Sequence, residues 1–301
     1  MSESLPDPKS TLRVDNPASN GSASSNSVVG ESQQQSLPVG NDNNNNNPST
    51  KENVVVQQSS PLLMEEIEKE IRETQVLTSN KLEVAKLRDA YEKDSNFDRG
   101  VVYLQQHYRN LRRVRGDGNC YYRAFLYSLC DHLNHPNQEQ ELKRITSLIK
   151  SSMDRLETLG YERFAIETFW EEMVELLESL PKDDFHTQLN AENATSDYCT
   201  WYMRVLTAAH LKSDADRFVH FMEGNYPDMV TFCQREVEPM GKECGMLQVL
   251  ALSETLQVRV EIEYLDGHDF GNQLTKHSFG PDQGLTLTFL YRPGHYDILY
   301  K

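Results

Sequence analysis

No Cys-x-x-Cys pair occurs anywhere in the 301 residues, and no apolar run approaches the roughly eighteen residues that span a bilayer. The five cysteines, Cys120, Cys130, Cys199, Cys233 and Cys244, are odd in number and widely spaced. That argues against both a disulfide framework and a structural zinc site, and no other cofactor is suggested. Basic residues are also scarce, with 30 Lys and Arg against 46 Asp and Glu, a net charge of −16. Duplex nucleic acid is bound through clustered cations, so that partner class is disfavoured. The acidic surplus would suit a basic protein or peptide, although its plain reading is solubility. The N-terminus shows no basic stretch leading into an apolar core, so neither a secretory signal nor a membrane partner is expected. These absences point to a reducing compartment, cytoplasmic or nuclear, in which the sequon Asn193-Ala-Thr195 is idle.

Residues 1–58 are short of core formers and rich in Ser, Asn, Gln, Pro and Gly, including the run Asn43 to Asn47. Such a composition does not offset the entropy of ordering, and the segment is predicted to be a disordered tail. Residues 59–301 are then the folding unit. Leu63, Ile67 and Ile71 recur every four residues behind Pro61, giving an amphipathic helix. Its plain reading is packing on the main domain; docking on a partner is the alternative. Ser79 or Asn80 is expected to cap a second helix carrying Leu82, Leu87, Ala90 and Tyr91. Val101, Leu104, Tyr108 and Leu111 predict a third.

Between about 120 and 256 the pattern stays helical. Leu142, Ile145, Ile149, Met153 and Leu156 share a face, as do Phe169, Met173, Leu176 and Leu177, stopped by Pro181. Ser196 is expected to cap a helix bearing Tyr198, Trp201, Tyr202, Val205, Leu206 and Ala209, and Asp228 to cap one ending near Pro239. Met246 to Leu252 suggests another. Val258, Val260, Ile262 and Tyr264 then alternate with charged residues, a period-two strand. Residues 265–284 read as a long connection holding solvated His268 and His277. Leu285, Leu287, Phe289 and Tyr291 alternate again, and a Pro293-Gly294 turn leads to a last strand, His295 to Tyr300. Helices followed by neighbouring strands predict an α+β fold with a small, mostly antiparallel C-terminal sheet.

The segment Arg115-Gly-Asp-Gly-Asn-Cys120 is loop-like, and an apolar helical run with Tyr121, Phe125, Leu129 and Leu133 follows at once. Cys120 therefore falls at a helix N-terminus, where unpaired N–H groups and the positive end of the dipole favour a charged sulfur. The same N–H groups can receive charge developing on a carbonyl oxygen. A lone cysteine is more often a small buried hydrophobe, but this loop reverses that preference. The matching base is His295. On a strand, His295 and Asp297 project to one side, so Asp297 can hold one imidazole nitrogen while the other faces Cys120. His132 and His135 are three apart near a helix end, too few ligands for a metal.

Asp117-Gly-Asn-Cys120 with Tyr-Arg-Ala-Phe125 after it, and Tyr291-Arg-Pro-Gly-His-Tyr-Asp-Ile-Leu-Tyr300, resemble the otubain branch of the ovarian-tumour-domain deubiquitinases. Ser196-Asp-Tyr, Leu206-Thr and Cys233-Gln-Arg-Glu-Val-Glu-Pro-Met240 extend the resemblance, which covers about Leu62 to Lys301. It implies a papain-like cysteine protease core, no metal, and ubiquitin or polyubiquitin as partner. It also implies Cys120 as nucleophile, His295 as base, Asp297 as its orienting residue, and Asp117 as shaper of the loop behind the oxyanion hole. Two alternatives stay open. One is a non-catalytic restraint on ubiquitin transfer, with segment 61–76 binding ubiquitin-conjugating enzymes; the other is hydrolysis of a different ubiquitin-like modifier.

Overall fold

In the computed structural model, residues 61–93, 95–191, 195–268 and 273–301 are described, without the side chains of 61–65 and 68. The expected disordered tail, 1–58, lies outside the described residues. The helices are α1 Pro61–Thr74, α2 Asn96–His107, α3 Cys120–Leu133, α4 Glu139–Thr158, α5 Arg163–Glu178, α6 Phe185–Asn190 and α7 Thr195–Ser213. They continue with the single turn α8 Ala215–Phe218, with α9 Met229–Phe232 (prolonged by a π turn to Val237), and with α10 Met246–Leu256. The strands are β1 Leu82–Glu83, β2 Asn110–Arg112, β3 Arg259–Tyr264, β4 Thr275–Phe279, β5 Thr286–Arg292 and β6 His295–Tyr300.

The strands form one sheet in the order β1-β2-β6-β5-β3-β4, with every neighbouring pair antiparallel except β3 and β5. Its two faces follow from side-chain alternation. Phe289 and Ile298, paired in register, enter the larger core; Leu290 and Leu299, one residue on, enter a second core with Val84, Leu87, Leu104 and Leu111. Helix α3 is buried along nearly its whole length because it lies between the sheet, through β5 and β6, and α7. Helices α4, α5 and α10 close around α7.

The α+β reading and most helices agree with the sequence. Asp228 caps α9 by accepting from Thr231 N at 2.7 Å. Five expectations are corrected. The connection 265–284 contains β4, whose His277 is half-buried with its ring edge-on to Tyr264 at 4.8 Å. His268 is exposed beside Asp266, as read. The second helix divides into β1 and a 3₁₀ segment Val84–Ala90, and Ser79 caps nothing: its Oγ accepts from Arg113 N at 2.9 Å. The third helix ends at His107, where Tyr108 turns extended (φ −133°, ψ 138°), so Leu111 belongs to β2. Ser196 lies inside the first turn of α7, which starts at Thr195, and accepts from Arg123 at 3.1 Å. The sheet is also larger than a C-terminal one, since β1 and β2 join it through β6.

Candidate active site

Cys120 is the first residue of α3 and is buried to 4 % exposure. The loop before it is built from its own polar groups. Asp117 Oδ1 accepts from Asn119 N at 3.0 Å, and Asn119 Nδ2 returns a bond to the Asp117 carbonyl at 3.3 Å. Asp117 thus shapes the loop through its side chain as well as its backbone. Its other oxygen accepts from Arg123 Nη2 at 2.6 Å, and Arg123 Nη1 reaches Asp197 at 2.9 Å. Arg123 is only 2 % exposed, so the guanidinium at the centre of this bridge is buried. Gly118 adopts φ +73°, and a Cβ there would stand 2.1 Å from the Gly241 carbonyl oxygen. Only glycine fits on both counts.

His295 and Asp297 face the same side of β6, as two residues apart on a strand must. His295 Nε2 meets Asp297 Oδ1 at 3.0 Å, and Cys120 stands close enough to the imidazole to help raise its pKa. With Nε2 engaged, Nδ1 is the nitrogen left for the sulfur, and it lies on the Gly116 side, 3.7 Å from where a Cβ on that glycine would sit. Cys120 precedes His295 by 175 positions in the sequence; the sheet and α3 bring the two together. Burial drags the His295 pKa down, but the bond to Asp297, the nearby Cys120 and the Asp297 charge outweigh it and lift the value from 6.5 to about 9. An imidazole so placed is protonated at neutral pH and can hold an anionic sulfur or give a proton to a leaving group.

Asp297 is fully buried, which by itself would raise its pKa, yet the value is lowered by His295, by the Arg292 charge and by the Val114 N–H. Arg292 Nη2 donates to Oδ2 at 2.6 Å, and Val114 N donates to Oδ1 at 3.0 Å. The carboxylate is therefore fixed on both oxygens before it meets the imidazole. The remaining cysteines are free and buried, and burial pushes Cys130 and Cys233 up to about 12. They are packing residues, not rival nucleophiles. Among the described residues, no three His, Cys, Asp or Glu side chains come together as metal ligands.

Cys120, His295, Asp297 and Asp117, all singled out by sequence, come together here. Arg123, Asn119 and Arg292 lay inside the motifs without an assigned role, and Arg204 was missed altogether. Arg204 stands between Met203 and Val205 on an otherwise apolar stretch of α7, and that setting is the signal that could have exposed it as an inward-facing charge.

A helix-borne sulfur, a strand-borne imidazole and the carboxylate that holds the imidazole, brought together, define a thiol peptidase class of site. Residues 70–301 match the family model described as Peptidase C65 Otubain, and the chain belongs to the otubain family. It is 36 % identical over 241 residues to the human protein named ubiquitin thioesterase OTUB1, covering 79 % of this chain and 88 % of that one. It is 33 % identical over 222 residues to the Arabidopsis thaliana ovarian tumor domain-containing deubiquitinating enzyme 1, covering 66 % and 72 % respectively. A solved structure of h/ceOTUB1 with ubiquitin aldehyde and UBCH5B~Ub superposes with a TM-score of 0.74 at 26 % identity, spanning 80 % of this chain and 96 % of that one.

Proposed function

We propose that this chain is a deubiquitinating cysteine hydrolase that cleaves the bond between ubiquitin's C-terminal glycine and a lysine amine, including the links of polyubiquitin. The observation that carries this is the convergence of Cys120 on His295, itself bonded to Asp297, in a chain of the otubain family. The sulfur of Cys120, its proton held by His295, attacks the glycyl carbonyl. Negative charge collects on the carbonyl oxygen, where the unpaired N–H groups at the start of α3 can receive it. His295 then gives its proton to the departing lysine nitrogen, and the C–N bond breaks to leave a thioester. Water, deprotonated by His295, attacks that thioester, and the thiol is released with a free ubiquitin carboxylate. Asp297 orients His295, and Asp117 holds the loop.

Ubiquitin carrying a C-terminal electrophile tests this directly. The wild type should be captured covalently, and Cys120→Ala should not. Capture by a different ubiquitin-like modifier alone would transfer the activity to that modifier. The five free cysteines favour a cytoplasmic or nuclear setting, and fractionation of the tagged chain checks it.

A second role is favoured by α1. Ile67 is 43 % exposed and Val76, just past the helix, is 61 % exposed, so part of this segment's apolar side chain is left unburied. It would suit a charged ubiquitin-conjugating enzyme. Removing all of 61–76 is a poor test, because the Gln75 carbonyl accepts from Arg115 at 2.8 Å and its side chain from Gly116 at 3.2 Å, beside the site. Ile67→Glu leaves those bonds alone. It should weaken capture of the conjugating enzyme while cleavage of ubiquitin conjugates continues, and unchanged capture would remove this role.

A further inference from the structure

Arg204 is wholly buried on α7, and its guanidinium ends under the loop that carries Cys120. Nη2 donates to the Gly118 carbonyl at 2.9 Å, to Asn119 Oδ1 at 2.9 Å and to the Lys242 carbonyl at 2.6 Å, while Nη1 donates to the Val237 carbonyl at 3.0 Å. The guanidinium also lies over the Tyr122 ring at 4.5 Å. Asn119 Oδ1 accepts in addition from Gly241 N at 2.9 Å. One charged fork therefore ties the loop before the nucleophile to the segment 237–242. Burying a full charge is costly unless it is well paired, and here its partners are backbone carbonyls and an amide, with no carboxylate among them.

The peptide planes show what this does. The Gly118 carbonyl is held by Arg204, and the N–H at the other end of the same peptide, on Asn119, is held by Asp117 Oδ1. The Asp117 carbonyl is held by Asn119 Nδ2, and the Asn119 carbonyl accepts from Arg123 N at 2.9 Å. Every carbonyl of the loop from 117 to 119 is thus engaged within the protein, and a trans peptide points its N–H opposite its C=O. Gly118 N and Cys120 N are the two donors left over. If the Gly118–Asn119 peptide turned over, both of these bonds would break, its carbonyl would meet the Asp117 carboxylate, and the two flanking peptides that carry Gly118 N and Cys120 N would lose their anchor.

We infer that Arg204, acting through Asn119, is a positioning residue that prevents this peptide from turning and so keeps the oxyanion-binding donors aimed at the scissile carbonyl. The inference rests on the acyl-transfer reading above. It predicts a defect confined to the step in which an oxyanion forms, with the nucleophile itself intact.

Arg204→Lys keeps the charge but loses the planar fork that spans these acceptors. Three readings are taken on the full chain: kcat and KM for ubiquitin bearing a C-terminal fluorogenic amide, the rate of Cys120 alkylation by iodoacetamide at neutral pH, and the far-ultraviolet spectrum. Alkylation is a displacement at carbon that builds no oxyanion, so it reports the sulfur and imidazole alone. Arg204→Lys should lower kcat by roughly 10–100-fold, leave KM within about 3-fold, and leave alkylation within about 2-fold. A folded variant whose kcat stays within about 3-fold of wild type overturns the inference, as does a parallel fall in alkylation and kcat. If Arg204→Lys does not fold, Asn119→Ala is judged by the same readings and limits. Wild-type chain that alkylates but leaves the ubiquitin amide uncut would overturn the deubiquitinase reading instead, and the two failures are told apart.

Discussion

Arg292 and Asp297 face each other across the β5–β6 hairpin, joined by a 2.6 Å bond from Nη2 to Oδ2, and Asp297 has no exposure to solvent. The carboxylate that steadies His295 is thus itself steadied by an arginine three residues before the histidine. The motif Arg-Pro-Gly-His-Tyr-Asp folds back so that its first and last members form an ion pair around the turn.

Asp297→Asn should therefore do more than remove a charge. An amide at this position must aim its NH2 at either Arg292 or His295, so one donor confronts another whichever way it flips. The expected result is a fall in kcat of about 100-fold or more, with the His295 titration moving down from about 9. The pH–rate profile measures both, and an unmoved profile would assign the orienting role elsewhere.

Arg292→Met leaves Asp297 buried without its cation. Because Arg292 is about a quarter exposed, the penalty should fall near the lower end for a broken buried pair, about 2–3 kcal/mol. Urea unfolding at neutral pH should show a lower midpoint with an unchanged slope.

His295 sets a pH dependence of stability. Its pKa is raised on folding, from 6.5 to about 9, so its contribution is present in full below the unfolded value and is lost as pH rises through the folded one. Unfolding free energy should decline across that alkaline window in the wild type. In His295→Gln the decline should be absent, and an identical slope in both proteins would show that another group is responsible.

The glycines flanking Asp117 should differ sharply. Gly118→Ala meets both a left-handed φ of +73° and the Gly241 carbonyl at 2.1 Å, and should cost about 2–4 kcal/mol. A Cβ on Gly116 meets only the His295 ring at 3.7 Å, an ordinary contact, and Gly116→Ala should cost less than about 1 kcal/mol. Thermal unfolding of the two variants side by side distinguishes them.

The sequence made the row of Cys120, His295 and Asp297 legible because each carries its own local signal: a glycine-flanked helix start for the sulfur, and period-two spacing after a Pro-Gly turn for the other two. Strand β4 was not legible because it is an edge strand whose Thr275, Lys276 and Ser278 are exposed, so no apolar alternation marks it. The end of α2 was hidden because Tyr108 and Leu111 keep helical spacing by coincidence, although both enter the second core from extended backbone. Arg123 and Arg204 were hidden for a different reason. Arginine is read as a surface residue unless a partner is in view, and here the partners are loop carbonyls and carboxylates that, Asp117 apart, lie far away along the chain.

Strand β6 lies between β2 and β5, so among the described strands the pair β1 and β2 joins the rest of the sheet through it. The strand that carries the imidazole is also the bolt that joins two sections of the framework. A chain in which that bolt has not yet slid home has neither a closed sheet nor a partner for its thiol. Completion of architecture and arming of the nucleophile are thereby a single event, and a half-assembled molecule is idle as well as loose.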